Sequence, residues 1–259
     1  KKSKLFTEIK IQDISRIKTG FNEFDRVLGG GLVHGSIILL GGEPGIGKST
    51  LVLQAAGKMS LSHNVLYITG EESLEQVKVR WTRLNQRNAN LKVFAENNLS
   101  IIIQEIKDNK PTIAIIDSIQ AINNSDLEST SGSVSQVRSC SSELQQFAKD
   151  NNIALLIIGH VTKDGTLAGP KTLEHLVDVV LNFEGDHIAS NRLLRGIKNR
   201  FGATFELGIF EMRENGLNEI KNPSSNFTNK ENIAGVATTI TLEGTRSFAV
   251  DIQSLVNKT

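Results

Sequence analysis

Residues 42–49 read Gly-Glu-Pro-Gly-Ile-Gly-Lys-Ser, a complete G-x-x-x-x-G-K-[ST] loop. Such a loop closes backbone N–H groups around a chain of phosphates; its lysine reaches the β and γ oxygens, and its hydroxyl ligates Mg²⁺. Gly42, Glu43, Pro44, Gly45, Ile46, Gly47, Lys48, Ser49 and Thr50 are therefore the candidate cradle for ATP. Lys48 is also a catalytic candidate and Ser49 a metal ligand. The flanks suit this chemistry. An apolar run over 36–40 reads as a buried strand feeding the loop, and Leu51, Val52, Ala55, Ala56 and Met59 recur behind it at helical spacing. The phosphates would then rest on a helix N-terminus.

Four further clusters fit a phosphate-transfer site. Thr112-Ile113-Ala114-Ile115-Ile116-Asp117 is an apolar strand ending in a carboxylate, the form in which an aspartate holds Mg²⁺ beside a phosphate loop. Glu71 and Glu72 follow the strand ending at Thr69, where ligands gather in open α/β sheets. Adjacent side chains cannot both face one γ-phosphate. One of the pair is expected to activate the attacking water and the other to support it, with a slight preference for Glu72 as base. A helix N-terminus favours acidic residues without any catalysis, which is the plain alternative. His160, after the strand 153–159, falls where a side chain can sense a γ-phosphate; the alternative is a satisfied structural histidine. In Lys198-Asn199-Arg200-Phe201-Gly202, alternation puts Lys198 and Arg200 about 7 Å apart on one side of a strand end. In a ring of identical subunits such a pair can neutralise charge on the neighbour's γ-phosphate. A basic edge strand that discourages aggregation competes with that reading.

Two stretches have the composition of loops that touch a nucleic-acid backbone. One runs from Lys163 to Lys171 and contains two glycines and a proline; the other spans 132–138 and ends in Arg138. Neither has an aromatic platform, so backbone contacts without sequence readout are expected of them. Solvated loops are the competing reading.

The elements needed to position these residues are legible as alternating short apolar runs and helical patterns, the sign of a parallel sheet covered on both faces. Strands are expected at 37–40, 65–69, 93–95, 112–117, 153–159, 177–183, 193–198 and 205–211, and helices at 49–60, 73–87, 99–109 and about 133–151. The last strands follow one another without helices, which predicts an antiparallel extension. After the polar turn residues at 222–226, the runs 233–242 and 246–256 read as strands too few to build a core. They are either the start of a second domain or an appendage packed on the first.

Composition narrows the class. The 259 residues carry 29 Lys+Arg against 28 Asp+Glu, so any nucleic-acid surface must be a local patch. One cysteine, Cys140, excludes an intramolecular disulfide and a cysteine-based zinc cluster within this sequence, and it reads as a small buried helix residue. No stretch of about 18 apolar residues and no signal-peptide pattern occurs, so a soluble cytoplasmic protein with no membrane partner is expected.

The chain resembles the RadA (Sms) family of bacterial DNA-repair ATPases. The resemblance rests on the phosphate loop 42–49, on Gly70-Glu71-Glu72-Ser73, and on Gly159-His160-Val161-Thr162-Lys163 with Ala168-Gly169-Pro170-Lys171 and Leu173-Glu174-His175. The family's own signature is Lys198-Asn199-Arg200-Phe201-Gly202. It covers about residues 6–259. It implies a RecA-like α/β core over 1–220, with a mostly parallel sheet flanked by helices, and a linker and first strands of a truncated Lon-protease-like domain over 221–259. It also implies ATP and Mg²⁺ as cofactors, hexameric rings, and single-stranded or branched DNA in the central channel. Lys198 and Arg200 would serve the adjacent subunit, and recombination proteins such as RecA would be partners in branch migration. The family's four-cysteine zinc finger has no counterpart here. A nucleotide-gated assembly or signalling ATPase like the clock protein KaiC, which shares the paired glutamates, is the alternative class; a small-molecule kinase is a distant third.

Overall fold

The computed structural model describes residues 7, 15–85, 90–160, 173–185, 190–222, 224, 228 and 235–254. Two short strands, β1 (Arg16–Ile17) and β2 (Leu32–Val33), pair around helix α1 (Asn22–Val27). The core follows as β3 (Ile37–Gly42), α2 (Lys48–Met59), β4 (Val65–Thr69), α3 (Leu74–Arg83), β5 (Lys92–Ala95), α4 (Leu99–Asn109), β6 (Ile113–Asp117), α5 (Val134–Asp150), β7 (Ala154–Ile158) and β8 (Val179–Gly185). Then come β9 (Asn191–Asn199), β10 (Leu207–Arg213) and β11 (Gly216–Glu219), and last a hairpin of β12 (Val236–Glu243) and β13 (Arg246–Gln253).

One nine-stranded sheet has the order β11-β10-β9-β8-β3-β7-β6-β4-β5. From β8 to β5 the pairs are parallel, and from β8 outward to β11 they are antiparallel. The central strands β3, β4, β6 and β7 are buried along their whole length. Their side chains alternate between two cores. Ile38, Leu40, Tyr67, Ile115 and Leu156 pack under α1, α2 and α3, while Ile37, Leu39, Leu66, Ile116 and Leu155 pack under α4 and α5. Polar groups are therefore excluded from strand interiors and collect at strand ends.

The expected strands and helices are present, with shifts that have local causes. Helix α3 stops at Arg83 rather than at 87: the Leu84 N–H returns to Arg80 O, and Asn85 takes a positive φ of 54°. Strand β10 begins at Leu207 rather than 205, because Phe205 turns to φ 65° and its side chain points to solvent. The short elements α1, β1, β2 and β11 have too few residues for a periodic signal. The hairpin turn at Gly244–Thr245 is tied to the core: Arg246 Nη1 lies 2.5 Å from Glu23 Oε2 and Thr245 N 3.1 Å from Glu206 Oε1. Phe248 and Val250 bury against Leu193, Leu207, Ile209 and Ile220, so the hairpin packs on the core domain. Its opposite face leaves Ile240 and Leu242 exposed. Among the described residues no helix is long and apolar enough to cross a membrane.

Cys140 is buried on α5, as its spacing predicts, with its sulfur 3.8 Å from Ile122 O. Burial pushes its thiol up to about 11. At pH 8 such a thiol is about 0.1% thiolate, against roughly a quarter for an unperturbed cysteine. Modification by a disulfide reagent at pH 8 should be at least about 100-fold slower in the folded protein than in guanidinium; stoichiometric labelling of the folded protein within minutes would mean that α5 lifts off the sheet.

Candidate nucleotide site

The loop between β3 and α2 is shaped by glycines at two close approaches. At Gly42 a Cβ would lie 2.4 Å from the Phe183 carbonyl oxygen, and at Gly47, with φ 113°, it would meet the Met212 methyl at 2.6 Å. Gly47 caps α2 without a side-chain hydrogen bond, and the first turn carries no acidic residue. The orphan N–H donors of that turn are open to an anion. Lys48 folds over the loop mouth, its Nζ donating to Gly42 O and Glu43 O at 2.8 Å each. It is 3% exposed, and burial lowers its pKa to about 8 against the pull of Asp117, Glu71 and Glu43. Arg192, reaching across from β9, braces the loop through Ile46 O at 3.2 Å. Sequence reasoning missed Arg192, because an arginine in an alternating strand reads as a solvent-facing residue.

The register Thr69↔Asp117 and Ile116↔Ile157 lines up the carboxyl ends of β4, β6 and β7 beside that of β3. Asp117 sits at this edge, 8% exposed. Ser49 Oγ donates to Asp117 Oδ1 at 3.1 Å, the Tyr67 hydroxyl donates to Oδ2, and Arg80 Nη1 lies 3.9 Å from Oδ2. Burial pushes the Asp117 carboxyl up, while the bonds from Tyr67 and Ser49 pull it down. Burial, then the Asp117 charge, holds the Tyr67 hydroxyl well above its ordinary range, so it stays a donor. A hydroxyl and a carboxylate oxygen side by side at the loop are hard donors that fit Mg²⁺, which completes its shell with phosphates and water.

Glu71 and Glu72 are close in sequence but turn to different partners. The Thr69 hydroxyl closes the turn, accepting from Glu72 N at 3.0 Å, and Ser73 with Gln76 forms a capping box that starts α3. Glu71 Oε1 accepts from Ser118 Oγ and lies 3.4 Å from His160 Nε2. The His160 hydrogen bond, more than any other contact, holds its carboxyl down at about 2. Glu72 Oε1 instead accepts from Arg80 Nη2. Lys48, Ser49, Asp117, Glu71 and His160 thus converge at one edge of the sheet, with Glu72 paired behind them.

Lys198 and Arg200 are elsewhere. Strand β9 runs antiparallel to β8, so Asn199 pairs with Val179, the first residue of β8. The signature segment therefore lies at the amino edge of the parallel strands, about 20 Å from this chain's own phosphate loop by strand rise. Lys198 Nζ donates to Val177 O at 2.9 Å and to Glu174 O. Arg200 pairs with Asp178 at 3.0 Å, and Asp178 Oδ2 accepts from Ile37 N at 3.1 Å. Asn199 and Gly202 clamp the strand end to α1: Asn199 Nδ2 donates to Val27 O at 3.3 Å, and a Cβ on Gly202 would sit 3.0 Å from Gly29 Cα. The Arg200 side chain remains 52% exposed.

Of the expected DNA contacts, Arg138 is exposed on α5, beside a groove lined by Leu127, Val134, Ser135 and Gln146. Lys163 and Lys171 lie outside the described residues. Gln136, fully buried on the same helix, fixes the preceding segment by donating to Asn123 Oδ1 at 3.0 Å and Ser129 O at 2.8 Å and accepting from Asn124 N at 2.8 Å.

The profile of the AAA domain family matches residues 5–166. The DNA repair protein RadA of Bacillus subtilis is 50% identical over 256 residues, 98% of this chain and 56% of the relative. That of Streptococcus pneumoniae is 48% identical over 254 residues, 97% of this chain and 60% of the relative. The chain thus spans less than two thirds of the length of these curated relatives. Among solved structures, one ATPase domain aligns with a TM-score of 0.67 at 15% identity, over 80% of this chain and 92% of that one. A KaiC-like protein of Pyrococcus horikoshii aligns at 0.65 and 19% identity, over 80% and 99% of the two chains. The RadB recombinase aligns at 0.59 and 21% identity, over 79% and 100%. These likenesses show a RecA-like fold. With about half its residues shared across nearly its whole length, this chain belongs to the RadA family of DNA repair proteins, within the AAA domain family.

Proposed function

We propose that this chain is the ATP-hydrolysing core of a DNA-dependent motor of recombinational repair, working in a hexameric ring on single-stranded or branched DNA. The observation that supports it most is the convergence of Lys48, Ser49, Asp117 and Glu71 on the open N-terminus of α2. ATP phosphates would take the α2 N–H donors and draw the Lys48 ammonium off the Gly42 and Glu43 carbonyls. Ser49 and Asp117 would hold Mg²⁺, which neutralises the β and γ oxygens when bound. Glu71 is the water-orienting carboxylate, because Ser118 and His160 already aim it while Glu72 is occupied by Arg80. His160 reports the γ-phosphate to the segment that follows it.

Each site is completed from next door. Lys198 and Arg200 lie at the edge opposite their own loop, so they can neutralise a γ-phosphate only on a neighbouring subunit. Arg138, Lys163 and Lys171 supply backbone contacts to DNA in the channel. Segment 221–259 is a linker followed by strands of a Lon-like domain. The setting is the cytoplasm, with recombination proteins such as RecA as partners.

ATP turnover should rise on addition of single-stranded DNA and lose that rise steeply with salt. No response to DNA, with labelled phosphate appearing on a Ser or Thr, would place the chain in the self-phosphorylating signalling class instead. Lys48→Ala should weaken ATP binding by about tenfold or more, measured by fluorescent-analogue titration. Glu71→Gln should keep binding and lose about 100-fold or more in kcat, whereas Glu72→Gln should lose less than about tenfold; the reverse order would move the base to Glu72. Arg200→Ala should bind ATP normally but turn it over about 100-fold more slowly or worse. Mixing it with Lys48→Ala protein should recover part of the activity, since one mixed interface is intact, and failure to recover would sink the shared site.

A further inference from the structure

The phosphate-loop chemistry leaves Arg80 without a task. It lies two turns into α3, and a helical side chain leans back toward the helix N-terminus, which brings its guanidinium to the carboxyl ends of β4 and β6. There Nη2 pairs with Glu72, and Nη1 lies 3.9 Å from Asp117 Oδ2. Nη1 is buried and has no hydrogen-bond partner. The same Oδ2 accepts the hydroxyl of Tyr67, the only tyrosine in the chain. The two carboxylate oxygens of Asp117 are thus divided: Oδ1 faces Ser49, and Oδ2 faces Tyr67 and Arg80.

We propose that Arg80 and Tyr67 are positioning residues for the divalent cation: together they pin Asp117 Oδ2, so that Oδ1 alone is presented beside Ser49. Arg80 at the same time withdraws Glu72 from the reaction. The inference rests on the reading above that Ser49 and Asp117 hold Mg²⁺. A carboxylate rotates about a broad, nearly two-fold torsion, so one with both oxygens free offers a metal two equivalent faces. A hydroxyl bonded to one oxygen, with a guanidinium charge 3.9 Å from the same oxygen, removes that degeneracy. The planar fork of arginine can serve two carboxylates at once, which a lysine cannot do in one geometry. Arg80 reaches Asp117 through the oxygen turned away from Ser49, so it acts on the cation through Asp117 and not on the phosphates.

Titration of a fluorescent ATP analogue against Mg²⁺, on the full chain, tests this without turnover. In wild type, Mg²⁺ should tighten binding. In Arg80→Met the affinity in EDTA should stay within about twofold of wild type, while the Mg²⁺ concentration for half effect rises about fivefold or more. Tyr67→Phe should shift it in the same direction, and the double variant should exceed the worse single by less than the product of the two, since both act on one oxygen. Arg80→Lys should fall between wild type and Arg80→Met. A merely structural role would lower the melting temperature and leave the Mg²⁺ midpoint in place. Folded variants whose midpoints match wild type within twofold overturn the inference alone; if Arg80→Met fails to fold, Tyr67→Phe, which removes a single oxygen, decides. A wild type whose ATP affinity ignores Mg²⁺ overturns the nucleotide reading and this inference with it.

Discussion

Burial of both faces of the parallel strands is the constraint on which the rest depends. Strands β3, β4, β6 and β7 expose no side chain to water along their length, so a polar residue within them would have to be desolvated without a partner. Tyr67 is the exception, and it directs its hydroxyl to Asp117 at the strand end. Chemistry is thereby driven to the edges, and the register decides which edge residues meet. Because Thr69 pairs with Asp117 and Leu40 with Ile158, the turn bearing Glu71, the strand end at Asp117 and the phosphate loop open on one side. A one-residue slip of any of these strands would reverse its faces and scatter the site.

The ionisable groups at that edge are held by mutual contacts. Three carboxylates, Asp117, Glu71 and Glu72, lie within reach of Lys48, Arg80 and His160. Burial shifts Asp117 up and Lys48 down, each toward its neutral form, and the neighbouring groups oppose it. Lys48 offsets this by turning onto two loop carbonyls that any incoming triphosphate would replace. Glu71, held at about 2, is a strongly anionic but weakly basic group while His160 stays bonded to it. If Glu71 orients the attacking water, as proposed, the His160 contact sets its direction at the expense of its basicity.

Much of the fold is legible in the sequence because two-sided burial leaves long apolar runs that no surface element imitates. The phosphate loop, Asp117 and the antiparallel extension come from that pattern together with glycine spacing. The division of labour between Glu71 and Glu72 is not legible: it depends on Ser118 and Arg80, which are 47 and 8 residues from the respective glutamates and join them only through the sheet and the first two turns of α3. Arg80 is hidden in Gln76-Val77-Lys78-Val79-Arg80, where it has the appearance of a solvated face. Arg192 and Gln136 are concealed in the same way, since a buried polar side chain has no periodic signature. The apolar pattern starts β10 too early, at Phe205, because an aromatic residue scores as strand whatever its φ.

Lys198 and Arg200 are held at the amino edge of the sheet by contacts within the chain. Exposed cations at a strand end repel each other, and the backbone there would fray. Here Lys198 satisfies two carbonyls at the end of the segment before β8, and Arg200 pairs with Asp178, whose other oxygen accepts from the first residue of β3. Each cation is thus anchored by a partner at the root of the same sheet that carries the phosphate loop at its far end. Asn199, Phe201 and Gly202 hold the strand end to α1 and to Arg16, with the Arg200 side chain half-exposed beside them. An ion pair with one half-exposed partner contributes little to stability, on the order of 1 kcal/mol or less. In the proposed ring, Arg200 would therefore leave Asp178 at little cost if a triphosphate on a neighbouring subunit were brought against it.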